Sequence, residues 1–313
     1  MSAVITPFEG TELFNTASFN NRISQINTGF SYVSNPNLLD NWYFGNPVNQ
    51  RGQTEYAGSV YTIDRWRLGT DKNMALSISD DKLSIVTDTV DSYFNFDQPL
   101  EAKVFRVGAT YTLSFLVDNY RNINQLYFSA SKSFFTFADN LATMSFTVNS
   151  PISSNPYIGI QFKTNTTTSI LAAKLELGST QTLAHREGNK WVLNEIPDYG
   201  EQLRRCQRYF VYFTKFTGVS GRAVNINSCQ FMVPIPVTLR DKPVISDSNV
   251  ANWRVQDASG KYITITGIHA YPAGVQPSYI TIFVDSAAAF TVGAIYTLSR
   301  TDASGPVSFS ADL

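Results

Sequence analysis

Apolar and polar residues alternate with a period of two along most of this chain. The clearest early runs are SVYTIDRWRL (59–68), MALSIS (74–79), KLSIVTD (82–88), YTLSFLVD (111–118), MSFTV (144–148), YIGIQF (157–162) and SILAAKLEL (169–177). Successive side chains of a strand face opposite sides of its sheet, so segments of this length, broken by Gly, Asn and Asp turns, predict an antiparallel β-sandwich. A second series runs through CQRYFVYF (206–213), AVNINSCQFMVPIPV (223–237), NWRVQD (252–257), YITITGI (262–268), SYITIFVD (278–285), FTVGAIYTLS (290–299) and PVSFSADL (306–313). Pro234 and Pro236 confine the end of their strand to an edge or a break, because proline cannot donate to a ladder. The fold class expected is all-β, with two antiparallel β-sandwich domains.

Helical spacing appears near the N-terminus. Phe19, Ile23, Ile26 and Phe30 recur at intervals of 4, 3 and 4 among polar neighbours, which predicts a short N-terminal α-helix. Its apolar stripe either docks on the chain's own β-domain or bundles with copies of itself in an oligomer. The run NPNLLDNWYFGNPVNQRG (35–52) reads as an irregular lead-in pinned to the sandwich by Leu38, Leu39, Trp42 and Phe44. The domains expected are therefore a helix over 1–35, a sandwich over 36–180, a linker with a short helix over 181–204 and a C-terminal sandwich over 205–313. In that linker Asp198 is placed to cap a helix opened by Tyr199, with Glu201 at the capping-box position.

One internal echo stands out. VGATYTLSF (107–115) and VGAIYTLSR (292–300) share seven of nine positions, and no adjacent residue extends the run. A glycine turn feeding an aromatic strand is a common local solution, and convergence is the expected reading.

Bulk composition narrows the function. The 313 residues suit two or three domains. Lys plus Arg (24) nearly cancels Asp plus Glu (25), so no net field is available to hold a polyanion and nucleic acid is not expected as a partner. No apolar run is long enough to insert in a membrane. MSAVITPFEG has no basic region ahead of an apolar run, so no signal peptide is expected. Cys206 and Cys229 cannot make a disulfide scaffold and are expected as two buried thiols.

Catalytic chemistry is sparse. Only two histidines exist, His185 and His269, neither beside a suggestive Ser or Cys, and no metalloprotease, hydrolase-elbow or phosphate-loop motif occurs. Glu195, Asp198 and Glu201 cluster, but capping accounts for the last two. Asp80, Asp81, Asp88 and Asp91 could gather a calcium ion but lack the alternating spacing of a dedicated loop, so solvated turns are expected. The chain is read as a non-enzyme with no cofactor and no metal. Binding asks for less: an exposed ring beside polar side chains suits a sugar. GIHAYPAGVQPSY (267–279) supplies His269, Tyr271, Gln276 and Tyr279 in a Gly/Pro frame, and Trp253 and Arg254 join them as candidate ligand-binding residues. The competing reading is that these rings cover the domain's own core.

Two stretches carry a family resemblance. NLLDNWYFGNPVNQRG, SVYTIDRW, VGATYTLSF and AAKLELG, in that order, resemble a module of phage and prophage tail-fibre proteins. The resemblance implies a jelly-roll sandwich similar to carbohydrate-binding modules over most of 36–180. GEQLRRCQRYF, FMVPIPVTLRDKPVI and the ending SFSADL resemble the C-terminal domain of phage tail-fibre and receptor-binding proteins. Leu203, Arg205, Cys206, Gln207, Arg208, Tyr209 and Phe210 match the first motif of that family, and Pro236, Val237, Leu239, Arg240 and Pro243 match the second. The resemblance implies a homotrimer in a virion tail, joined through its N-terminus to other tail or baseplate proteins, with a distal domain that recognises a bacterial surface carbohydrate. A polysaccharide-degrading enzyme and a purely structural tail component are the rival expectations.

Overall fold

The computed structural model describes residues 34–69, 74–79, 82–88, 94–129, 136–270, 279–287, 289–302 and 305–312. The stripe of Phe19, Ile23, Ile26 and Phe30 lies outside them, as do Asp80, Asp81, Asp91, Tyr271 and Gln276. The chain forms two compact units: residues 1–47, 54–60 and 67–197 make the first, and 48–53, 61–66 and 198–313 make the second.

The first unit contains β1 (Glu55–Ala57), β2 (Arg67–Leu68), β3 (Met74–Ser79), β4 (Lys82–Thr87), β5 (Phe94–Pro99), β6 (Thr110–Val117), β7 (Ile123–Phe128), β8 (Thr136–Ala138), β9 (Leu141–Thr147), β10 (Tyr157–Phe162), β11 (Thr167–Leu177), β12 (Ala184–Glu187) and β13 (Lys190–Leu193). A seven-stranded sheet runs β1-β3-β4-β11-β6-β9-β8 and a four-stranded sheet runs β2-β5-β10-β7. From β4 to β7 the chain alternates between the sheets. Then β9, β10 and β11 fold back beside β6, β5 and β4, all antiparallel. That return of the second half along the first is jelly-roll topology. The facing sides carry Leu83, Ile85, Phe94, Phe96, Leu113, Phe115, Ile158, Ile160 and Ile170, all buried. The alternation read from the sequence is thus the alternation of the core.

The lead-in takes a strand's place. Leu38 N donates to Leu175 O at 2.8 Å, Phe44 N to Leu171 O at 2.8 Å, and Ala173 N to Trp42 O at 2.9 Å. It thereby covers the part of β11 that β4 no longer reaches, since β4 pairs only with Thr167–Ile170. Of the four expected anchors, Leu39, Trp42 and Phe44 are buried, and Leu38 is half-buried.

The second unit contains the helix α1 (Tyr199–Gln207) and β14 (Phe210–Phe213), β15 (Val219–Asn225), β16 (Ser228–Pro234), β17 (Val244–Ile245), β18 (Trp253–Asp257), β19 (Tyr262–Ile263), β20 (Ile265–Ala270), β21 (Tyr279–Ser286), β22 (Ile295–Arg300) and β23 (Val307–Ser310). One sheet runs β14-β23-β17 and the other β19-β18-β22-β15-β16-β21-β20. The outermost strands of the larger sheet, β19 and β20, are separated in the chain by Thr264 alone, so this sheet curls round its core. Phe231, Val255, Ile282, Val284, Leu298 and Phe309 fill that core with no exposed surface. Asp198 caps α1 as expected, its side chain accepting from Glu201 N at 2.8 Å. Cys206 and Cys229 are buried and not in a disulfide, and burial pushes the Cys229 thiol up to about 12, which leaves it unreactive.

The boundaries differ from those expected. Residues 181–197, read as linker, belong to the first unit and hold the hairpin β12–β13. Conversely, 48–53 and 61–66 join the second unit through long-range contacts. Gln50 Nε2 donates to Phe210 O at 2.8 Å, and Arg51 pairs with Asp64 at 3.1 Å and Asp312 at 3.3 Å. Arg51 also lies 3.9 Å over the Phe210 ring, and Arg65 3.4 Å over Tyr209. Burial raises the Asp64 carboxyl from 3.8 to about 6, against the hydrogen bond from Gln50 and the charge of Arg51. Folded Asp64 therefore holds its proton where the unfolded chain has released it, and the stability it contributes is full below pH 3.8 and lost as pH rises through about 6. Urea midpoints taken across that window are expected to fall less steeply in Asp64→Asn than in the wild type. Parallel slopes would sink this assignment.

The echo proves to be one device used twice. Gly108 and Gly293 sit at φ +82 and +83, and each feeds a strand whose tyrosine reaches back to the turn. Arg106 N donates to Tyr111 Oη at 2.9 Å, and Thr291 N to Tyr296 Oη at 2.8 Å. The likeness extends one step beyond the contiguous run, because Phe105 and Phe290 pack edge-on against those tyrosines at 5.2 and 5.0 Å.

Candidate functional site

The outer side of the four-stranded sheet is polar and aromatic. In β5, Asn95 and Asp97 face outward between Phe94, Phe96 and Gln98; in β10, Tyr157, Gly159 and Gln161 alternate with Ile158, Ile160 and Phe162. The register aligns Arg67, Asp97, Gly159 and Tyr127 in one cross-strand row, and Asn95, Gln161 and Gln125 in the next.

Hydrogen bonds fix both rows. Tyr127 Oη donates to Asp97 Oδ2 at 2.6 Å and Arg67 Nε pairs with Asp97 Oδ1 at 2.5 Å. Tyr127 and Asp97 flank β10, so their bond passes over Gly159, the one position in the row without a side chain. A Cβ at Gly159 would lie 2.3 Å from Phe96 O, which only glycine avoids. Burial, and after it the charge of Asp97, pushes the Tyr127 phenol well above its usual range, so it stays a donor. In the second row Gln161 Nε2 donates to Asn95 Oδ1 at 3.0 Å, and Gln161 Oε1 accepts from Asn124 at 2.5 Å and Gln125 at 3.1 Å.

The rim is open. Arg67 stacks on one side of Tyr157, 3.8 Å from its centroid, and Tyr157 itself is 36% exposed, whereas Asp97 and Gln161 at the base are each 3% exposed. A face of this kind offers a ring for stacking and, above that buried base, the more exposed guanidinium of Arg67 and amides of Asn124 and Gln125 for hydroxyls.

The described candidates of the second unit, Trp253, Arg254, His269 and Tyr279, lie on three strands, β18, β20 and β21. Trp253 is 4% exposed and belongs to the core. Its ring meets Phe216 edge-on at 5.3 Å, and its Nε1 donates to Asp247 O at 3.0 Å. Burial pushes the Asp247 carboxyl up, but hydrogen bonds from Arg300, Asn249 and Asn252 outweigh it and hold it below its usual range. Arg254, the next residue on β18, faces solvent over Tyr262 at 5.7 Å. His269 lies on β20, parallel to Phe283 at 6.1 Å and with Nδ1 3.7 Å from Asp285. Tyr279 begins β21, opposite Pro234.

The other candidates settle into structure. His185 lies in the hairpin, with Nδ1 2.5 Å from Asn194 Oδ1 and Nε2 3.1 Å from Glu187 Oε1. Glu195 pairs with Lys174 of β11 at 3.1 Å. Among the described residues no cluster of His, Cys, Asp and Glu could hold a metal ion, and no helix is long and apolar enough to cross a membrane.

Fold and face define an all-β protein built of antiparallel sandwiches, the first of them with a prepared polar sheet surface. A scan against protein-family models finds no match, and no curated protein matches the chain at a significant level.

Proposed function

We infer that this chain is an attachment protein: a phage or prophage tail component that recognises a bacterial cell-surface carbohydrate as a homotrimer. The observation that carries the reading is the outer face of β2-β5-β10-β7, where Tyr157 stands at the rim above a fixed base of Asp97 and Gln161. Sugars combine apolar ring faces with hydroxyl rims, and that face is complementary to both. Several copies on one particle would make weak single sites effective. The reading moves recognition from the C-terminal unit, where the sequence directs attention, to the jelly roll.

Binding without catalysis fits the same residues. The described residues of these four strands bring one carboxylate to the face, Asp97, and it is held by Arg67 and Tyr127. Glycoside cleavage by acid and base needs a pair.

A glycan array probed with wild type and Tyr157→Ala tests the proposal. A discrete set of surface glycans should bind, and the variant should lose roughly tenfold in affinity through loss of ring stacking. A wild-type chain that binds no glycan would favour a structural tail component, and release of reducing sugar would favour an enzyme.

A further inference from the structure

The first unit also holds a cleft, built on residues other than those of the four-stranded face. A cleft of about 450 Å3 lies where the ends of β6 and β11 meet the hairpin β12–β13. The hairpin is firmly built: Glu187 pairs with Lys190 across a two-residue loop whose Gly188 has φ +61, as a first-position glycine in a tight hairpin turn requires. Arg186 pins it from outside, through an ion pair with Asp139 and with its guanidinium 4.9 Å from the Trp191 ring.

Trp191 lines the cleft, and its Nε1 is buried with no hydrogen-bond partner among the described residues. A buried donor left unmade costs about 1–3 kcal/mol, so such a donor is rare outside sites that meet a ligand or water. Lys82 and Lys190 line the same cleft, and neither pairs with an acid of the described residues. Asp118, the one acid of the lining, already accepts from Ser169 N at 2.9 Å through Oδ1 and keeps Oδ2 for another donor. Asn140 and Asn189 add side-chain amides at the rim.

We propose that this cleft binds the carboxylate-bearing ring of an acidic saccharide, a hexuronate. Two ammonium groups against one carboxylate favour an anion. The retained acid and the two amides suit several hydroxyl groups spread over a ring, which a bare phosphate lacks, and the cavity falls in the size range of small-molecule sites. The ligand's carboxylate sits between Lys82 and Lys190, a hydroxyl meets Asp118, and an oxygen accepts from Trp191. The site uses none of the groups on the four-stranded face, so either can fail without the other.

Indole N–H signals in a 15N-labelled sample give a direct readout. The chain has four tryptophans, and the Trp191 signal is the one lost in Trp191→Phe. Titration with glucuronate should move that signal saturably, with a Kd of the order of a millimolar, while glucose moves it little. Lys82→Gln/Lys190→Gln, at two exposed positions, should weaken the effect roughly tenfold or more, as loss of charge-assisted bonds predicts. Tyr157→Ala should leave it unchanged. A Trp191 signal indifferent to about 50 mM glucuronate, well above the expected Kd, would overturn the proposal. So would an equal response to glucose, or a lysine double variant that titrates like the wild type.

Discussion

Phe309→Ala lowers the stability of the C-terminal unit by about 3–5 kcal/mol, the cost of emptying a fully buried aromatic site. Phe309 has no exposed surface and sits on β23, the central strand of its three-stranded sheet. It stands opposite Val211 on one side and Ile245 on the other, and its ring meets Phe213 edge-on at 5.9 Å. No single neighbour can move to fill the space, because the site is shared by two strand pairings and the core of the curled sheet. A loss of this size is a large part of the usual stability of a domain. Phe309→Leu retains most of the volume and should cost less than about 1.5 kcal/mol, while Ser308→Ala, at a half-buried position next to it, should change little. Hydrogen exchange of the peptides covering 244–245 and 307–310 reports the unit directly. Protection that survives Phe309→Ala undiminished would contradict the packing described.

Glu195→Ala should destabilise the first unit by about 2–3 kcal/mol, below the cost for a fully buried pair because Glu195 is 38% exposed. Its partner Lys174 is fully buried on β11, and its other hydrogen bond goes to Ser34 Oγ. Removing Glu195 leaves an ammonium without its counter-charge in a place water barely reaches. Adding Lys174→Met to that variant should recover most of the loss, since an apolar side chain of similar length needs no partner. Chemical denaturation of the two single variants and the double variant supplies the cycle. A neutral Glu195→Ala, or a double variant no more stable than Glu195→Ala alone, would show that the pair carries no such weight.

Alternation made the sandwich legible, because its strands turn apolar side chains to one face, as Leu83 and Ile85 do in β4. The cap at Asp198 and the anchors Leu39, Trp42 and Phe44 were legible for the same local reasons. SVYTIDRWRL was misleading. Only Arg67–Leu68 of it is strand; Thr62, Ile63, Asp64, Arg65 and Trp66 are all buried in succession, and Arg65 has φ 72. That burial comes from contacts with residues far along the chain, such as Arg65 over Tyr209, which no local period records.

The candidate site was legible only in part. The outward positions Tyr157, Gly159 and Gln161 could be read from β10 alone, but joining them to Asp97 and Tyr127 requires the strand order β5-β10-β7. In NWRVQD the alternation itself puts Trp253 and Val255 on one side and Arg254 on the other, and the structure follows it. Trp253 has the chemistry of a ligand platform, but its place in that pattern is on the core side.

Adsorption of the labelled chain to a panel of bacterial strains, before and after mild periodate oxidation of their surface sugars, tests the central claim most directly. Recognition of a surface glycan predicts adsorption to particular strains that is abolished by periodate and weakened by Tyr157→Ala. Adsorption that is unchanged by periodate, or identical in wild type and Tyr157→Ala, would contradict it.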